Sequence, residues 1–272
     1  MEHKSIAFIG AGNMARSIIA GLVASGYPSA LITATGRTES KLAALEDQYK
    51  VNTTTDNFAA TQNADVVVLA VKPQMMADVC TKLQSIDYSG KLVISIAAGI
   101  SAVRLEEMLD AKLNLVRVMP NTPSLVGKGM SGLFALPSVS EENKTFAFDL
   151  MGSVGEACWV EMESGINNII AAAGSAPAYF FLFMEAMQAE AMAQGFDKDT
   201  ARLLVQQSAI GAAQMVVANP NIELGTLREQ VTSKGGTTAE ALRTFNEHQL
   251  TDIVSKAMKA AVARAEEMEK QL

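Results

Sequence analysis

Short apolar runs recur along the first half of the chain, at Ile6 to Ile9, Leu31 to Ala34, Val66 to Val71, Leu92 to Ile96 and Leu115 to Val118. Between them lie stretches with helical spacing, Ala15 to Ser25 and Ser40 to Tyr49 the clearest. The runs are almost continuously apolar rather than alternating, which predicts strands buried on both faces of a parallel sheet, with helices on each side. This half therefore reads as a doubly wound α/β domain.

After Trp159-Val160 the strand pattern stops and helical periodicity takes over. Helices are expected over Gly165 to Gln194, Asp197 to Ala218, Leu224 to Val231, Thr237 to Glu247 and Thr251 to Lys270, with Asp197 and Thr251 as N-caps and Gly195 as a stop. The expected organisation is a dinucleotide-binding domain over 1–162 and an all-α domain over 163–272. Gly165 to Gly195 contains no Lys, Arg or His and is apolar on nearly every face, so it needs cover on more than one side. It is either the central helix of its own domain or part of a subunit interface. The small size of the second domain favours the interface. The stripe Met184, Met187, Met192 is expected to be packing.

Composition narrows the function. A chain of 272 residues, 49% hydrophobic and 19% charged, can bury a sizeable core. Its formal net charge of -7 and lack of a basic run argue against nucleic acid as a partner. The cysteines Cys80 and Cys158 and the histidines His3 and His248 have no metal-ligand spacing, so no metal is expected. Met1 to Lys4 leads straight into a strand-like run without the pattern of a signal peptide, which makes the cytoplasm the expected location. The apolar stretch Ile169 to Met184 is interrupted by Ser175 and Pro177 and falls short of a membrane span, so no membrane association is expected.

Two glycine turns carry the chemistry. The first, Gly10-Ala11-Gly12-Asn13-Met14-Ala15, follows the first strand and fits G-x-G-x-x-G/A. Gly10 would make the tight turn, Gly12 would let the backbone approach a pyrophosphate, and Ala15 would let the helix pack close to its strand, as in a Rossmann domain. The end of the second strand reads Thr35-Gly36-Arg37-Thr38-Glu39-Ser40. An acidic residue usually takes the ribose there; Arg37 suits a 2'-phosphate and Thr38 can donate to it, so NADP(H) is the preferred cofactor. Glu39 leaves NAD(H) open. Two further segments, Ala70-Val71-Lys72-Pro73 and Ala97-Ala98-Gly99, fall at carboxyl ends of expected strands and leave room for ribose and nicotinamide.

The second turn, Gly235-Gly236-Thr237-Thr238-Ala239-Glu240, leads into a helix, with Thr237 and Glu240 at capping-box spacing. Its amides are placed to bind a carboxylate; an ordinary helix start is the simpler reading of these residues alone.

Nearly the whole chain resembles the Δ1-pyrroline-5-carboxylate reductase family. The likeness rests on Ile6 to Ala15, Ala70 to Pro73, Ser95 to Gly99, Met119 to Pro123, Gly174 to Tyr179 and above all Leu227 to Thr238. Lys234 departs from the family's usual proline and puts the rigidity of that loop in question. The resemblance implies an N-terminal Rossmann domain, an all-helical dimerisation domain, and assembly as homodimers or pentamers of dimers. It further implies NAD(P)H-dependent reduction of a cyclic imine to L-proline. Val231, Ser233, Gly235, Gly236, Thr237 and Thr238 would surround the substrate, Thr238 on the ring nitrogen and the backbone amides on the carboxylate, while Asn57 and Lys72 would fall at cofactor positions. Thr238 is the one side chain given a catalytic role. The nearest rivals are a β-hydroxyacid dehydrogenase or imine-reductase-like enzyme and a non-catalytic NADP-sensing protein. The first is disfavoured because Thr145 to Asp197 contains none of the lysine that alcohol oxidation in that family uses.

Overall fold

The computed structural model describes residues 3–271. Its strands are β1 (Ile6–Ile9), β2 (Ile32–Thr35), β3 (Asn52–Thr54), β4 (Val66–Leu69), β5 (Leu92–Ser95), β6 (Asn114–Met119), β7 (Gly129–Ala135) and β8 (Gly155–Trp159). The helices are α1 (Asn13–Ala24), α2 (Glu39–Tyr49), α3 (Asn57–Asn63), α4 (Met76–Thr81), α5 (Ala102–Leu109), α6 (Glu141–Gly152), α7 (Gly165–Ile169), α8 (Ala176–Ala193), α9 (Lys198–Ala218), α10 (Leu224–Gln230), α11 (Thr237–Glu247) and α12 (Leu250–Gln271).

All eight strands form one sheet in the order β3-β2-β1-β4-β5-β6-β7-β8. Pairing is parallel from β3 through β6; β7 then runs antiparallel to β6, and β8 parallel to β7. The first six strands have the doubly wound order in which the chain leaves β1 in one direction and returns at β4 in the other. Both faces are filled. Ile6, Phe8, Val66 and Val68 point into one core with α1 residues Ile18, Ile19 and Leu22, while Ala7, Ile9, Val67 and Leu69 point into the other with Met76, Cys80 and Leu83. A strand covered on both sides has no polar positions to offer, which is why these segments read as unbroken apolar runs.

The chain divides into two compact units. One runs to Pro177 and takes in the chain again from Ala261; the other is Ala178–Ala260. This differs from a break at 162/163 because α7 and the turn after it pack on the sheet: a side chain at Gly132 of β7 would run into Ile169, and the Asn121 amide donates to the Ala173 carbonyl at 3.0 Å.

Three local expectations are corrected. Gly165 to Gln194 is not one α-helix but α7, a π turn over Ile170–Gly174, and α8, with the Ser175 amide bonded to the Ile170 carbonyl at 2.8 Å. Because Pro177 sits in the first turn of α8, where its missing N–H costs no hydrogen bond, the helical path continues through it. The run Gly165–Ala193 is consequently 29 residues and is long and apolar enough to cross a membrane, although Ser175 and Pro177 seemed to cut it short. Thr251 is not an N-cap, since α12 already begins at Leu250, whereas Asp197 does cap α9 by accepting from the Asp199 and Thr200 amides.

Candidate active site

The first glycine turn joins β1 to α1 at the point where the strand order reverses. Gly10 has φ +103°, and a Cβ there would lie 3.0 Å from the Ala70 carbonyl group and from Val71, so the position is closed to other residues by conformation and by space. Its amide donates to the buried Thr35 hydroxyl at 3.1 Å, tying the turn to the end of β2. Gly12 is different. It is the N-cap of α1, exposed, and a Cβ there would meet nothing within 4 Å. The fold itself has no need of a glycine at that place; a ligand approaching the backbone does.

No side chain caps α1, and its first turn holds no acidic residue. Its leading amides therefore face outward with the positive end of the helix dipole, a setting that favours an anion. Around this point the ends of neighbouring strands bring up the other expected cofactor residues. Arg37 and Thr38 follow β2; both are exposed, and Arg37 Nη2 lies 3.9 Å from Met75 Sδ. Asn57 opens α3 beyond β3, with Asp56 as the N-cap accepting from the Phe58 and Ala59 amides. Ala70 and Val71 continue β4, Lys72 is exposed beside Pro73, and Ala97, Ala98 and Gly99 follow β5, Gly99 with φ +71°. These residues follow the carboxyl ends of four parallel strands, on the same edge of the sheet as the uncapped N-terminus of α1, the edge at which open α/β sheets bind dinucleotides.

The second glycine turn lies in the helical unit, between α10 and α11. Gly235 has φ +69°, and at Gly236 a Cβ would be 2.3 Å from the Ser233 hydroxyl. The expected capping box does not form: Gly236, not Thr237, is the N-cap, no side chain caps the helix, and Glu240 instead pairs with Arg243 at 3.0 Å. With φ -86° and ψ 173°, Gly236 takes the extended cap conformation itself and moves Thr237 one position into the helix. The outcome is a second helix start whose leading amides have no side-chain cap. Val231, Ser233, Gly235, Thr237 and Thr238 are exposed around it. Upstream, the Thr232 hydroxyl donates to the Arg228 carbonyl at 2.6 Å and fixes how the turn leaves α10.

Neither turn contains an acid–base pair. Cys80, the more buried of the two thiols, is pushed up to about 12 by desolvation and belongs to the core. Sequence reading passed over Ser233 as the reason for Gly236 and over Thr35 as the tie to Gly10, because each pairing becomes visible only once the turn is folded.

A mainly parallel, doubly wound sheet with a glycine turn at its switch point defines a dinucleotide-binding fold, here followed by a helical region. The family model "NADP oxidoreductase coenzyme F420-dependent" matches residues 5–99 and "Pyrroline-5-carboxylate reductase dimerisation" matches 163–268. The chain is 72% identical over 270 residues to the pyrroline-5-carboxylate reductase of Vibrio alginolyticus, covering 99% of both. Among solved structures, that of a pyrroline-5-carboxylate reductase from Coxiella burnetii superposes with a TM-score of 0.93 at 43% identity over 98% of this chain and 99% of the other. A Plasmodium falciparum pyrroline carboxylate reductase with NADP bound gives 0.86 at 26% identity, over 99% of each chain. The chain belongs to the pyrroline-5-carboxylate reductase family.

The two glycines of the first turn should separate cleanly in stability. Gly10→Ala meets both a left-handed backbone and the Ala70 carbonyl and should lose about 1–3 kcal/mol, whereas Gly12→Ala should stay within about 0.5 kcal/mol of the parent. Urea unfolding of the two variants measures this; equal losses would mean that Gly12 is a folding residue after all.

Proposed function

We propose that this protein reduces Δ1-pyrroline-5-carboxylate to L-proline with NADPH, the last step of proline synthesis. What carries the reading is the full-length likeness to pyrroline-5-carboxylate reductases, which spans both glycine turns and not the dinucleotide fold alone. NADPH when bound supplies a hydride from its nicotinamide ring. The α1 amides and Gly12 hold its pyrophosphate, Arg37 and Thr38 its 2'-phosphate, and Asn57, Lys72 and the segments after β4 and β5 its remaining contacts. NAD(H) serves less well.

In this reading the α11 amides bind the substrate carboxylate, and Val231, Ser233 and the Gly235-Gly236 backbone shape the pocket around the ring. Thr238 accepts from the protonated ring nitrogen and keeps the imine carbon facing the hydride. A protonated imine is already electrophilic, so alignment and exclusion of water supply most of the rate. That accounts for a site without a histidine or a carboxylate pair. The hydride goes to the imine carbon and the C=N π pair becomes the nitrogen lone pair of proline, already carrying the substrate's proton. The absence of any Lys in α7 and α8 weighs against the β-hydroxyacid dehydrogenase reading.

Self-association completes the assignment. The helical unit leaves Phe180, Phe181 and Leu182 between 63% and 68% exposed, and only 6% of the most apolar window in Gly165–Ala193 is buried within one chain. A region that matches a dimerisation model, together with this apolar surface, supports a homodimer; pentamers of dimers are the higher assembly of this reading. A partner subunit is a better cover than lipid, because apolar exposure continues through Leu203, Val217 and Ile253, on helices outside that run. We place the enzyme in the cytoplasm, without nucleic-acid or membrane partners.

Purified protein should oxidise NADPH when pyrroline-5-carboxylate is added and leave β-hydroxyacids untouched. Tight NADPH binding with no turnover of this imine, followed at the NADPH absorbance, would sink the assignment.

Arg37→Asp removes charge-assisted bonds worth ~1.5–3 kcal/mol and should lower NADPH efficiency roughly 10- to 150-fold while NADH use holds or improves. An unchanged NADPH/NADH ratio of kcat/KM would show that Arg37 is solvated surface.

Thr238→Val keeps the branched shape and deletes the hydroxyl. Losing one hydrogen bond in a closed site should cost ~1–3 kcal/mol, or roughly 5- to 150-fold in kcat/KM, with NADPH affinity unaltered. Wild-type efficiency in this variant would remove Thr238 from the mechanism.

A further inference from the structure

Among the described residues, the most deeply buried charge is outside both glycine turns. Arg117, in β6, is 2% exposed. Its Nη1 lies 2.5 Å from Glu163 Oε1 and its Nη2 3.1 Å from Glu269 Oε1. The cluster extends further: Glu269 Oε2 accepts from Asn167 Nδ2 at 3.1 Å, and Glu163 Oε1 also accepts the Ala102 amide at 2.6 Å. Both carboxylates keep part of their surface in water, at 28% and 23% exposed, so the surplus negative charge of two acids on one guanidinium is solvated.

The positions of these acids along the chain matter more than their number. Glu163 stands just before α7, on the segment that leads into Ala178–Ala260, and Glu269 stands in the last turn of α12, on the segment that leads out of it. One guanidinium thus holds both connections of the helical unit. The continuation of β6 grips the leading segment twice more. The Asn121 amide donates to Ala173, whose neighbourhood is the π turn, and a Cβ at Gly174 would be 2.9 Å from Met119 Cε.

Stability alone does not require this arrangement, since apolar residues of similar size often replace a buried ion pair without loss. A guanidinium contributes direction that an apolar side chain lacks: its donors lie in a fixed plane and set where each carboxylate must stand. A π turn within a helical run is also a common mark of functional segments.

We propose that Arg117 is a positioning residue for the reduction, fixing both connections of the unit that carries the Ser233 to Thr238 turn while touching neither substrate nor cofactor. The proposal rests on the function assigned above.

The test is Arg117→Met, which keeps length and removes the charge and the fork. Hydrogen exchange should quicken at least 10-fold in 163–177 and 261–271 while β1 and β4 stay within twofold. NADPH affinity should change less than twofold, and KM for pyrroline-5-carboxylate should rise about 10-fold or more. Arg117→Lys, able to hold one carboxylate at a time, should recover part of the KM. Unchanged exchange in both segments, or a fall in kcat at constant KM, would overturn the proposal, because lost folded protein lowers kcat alone. If Arg117→Met does not accumulate as folded protein, Glu269→Gln leaves the Arg117–Glu163 pair in place and is carried through the same measurements. Faster exchange in 261–271 with a raised KM then supports the clamp, and no change in either overturns it. The exchange readout needs no turnover, so an inactive parent enzyme would count against the assigned reaction and not against the clamp.

Discussion

The first unit depends on a strand with no exposed face. Ile6–Ile9 pairs with β2 on one side and β4 on the other and is covered above and below by the two cores. Every backbone group inside it is committed to the ladder and every side chain to packing, so its polar chemistry can appear only where the strand ends. The register Ile9↔Leu69 brings Ala70 alongside Gly10, and the resulting 3.0 Å limit on a side chain there forces the turn that aims α1 outward. The uncapped amides of α1 thus stand at the end of a strand whose sides are both buried.

The helical unit reaches the same device by a different route. It has no sheet to end, yet a glycine at the N-cap again leaves the amides of α11 uncapped by side chains. Most helix starts use Ser, Thr, Asp or Asn to occupy those amides, as Asp197 does for α9 and Ser140 for α6. A glycine in that place costs only about a few tenths of a kcal/mol of helix stability relative to those residues. α2, α4, α7 and α10 also lack a side-chain cap, so what sets α1 and α11 apart is the glycine at the N-cap itself, which leaves the backbone around the free amides without a side chain.

Much of this was legible in sequence because it rests on local pattern. The buried strands were marked by apolar runs and the first turn by its glycine spacing, and Arg37 by its place after the second strand. What escaped notice depends on pairing over long separations or on departures from regular periodicity. β7, Gly-Met-Ser-Gly-Leu-Phe-Ala, is too rich in small residues to show an apolar run, and Gly132 is small because Ile169 presses on it. β8 is a half-exposed edge strand with little apolar excess. The π turn has a period that a search at helical spacing reads as continuous. Thr237 and Glu240 have the correct spacing for a box, but the glycine before them can take the cap conformation at lower cost. Spacing therefore places a candidate cap without deciding which residue occupies it.

Arg117 shows the same limit most clearly. In sequence it is a lone basic residue inside an apolar run, and its carboxylates lie 46 and 152 residues further along the chain, Glu163 in the turn before α7 and Glu269 in the last turn of α12. Only the folded sheet brings Glu163 and Glu269 to one guanidinium. Charge burial of this kind is tolerated when each partner satisfies the other and water reaches the excess. In return the cluster makes two distant stretches of backbone depend on one strand. The apolar face of α8 and its neighbours constrains the protein from outside in the same way, by demanding a partner for surface that a single chain leaves open. The segments that enter and leave the helical unit are thereby tied to β6, while the apolar surface of the unit stays open within a single chain.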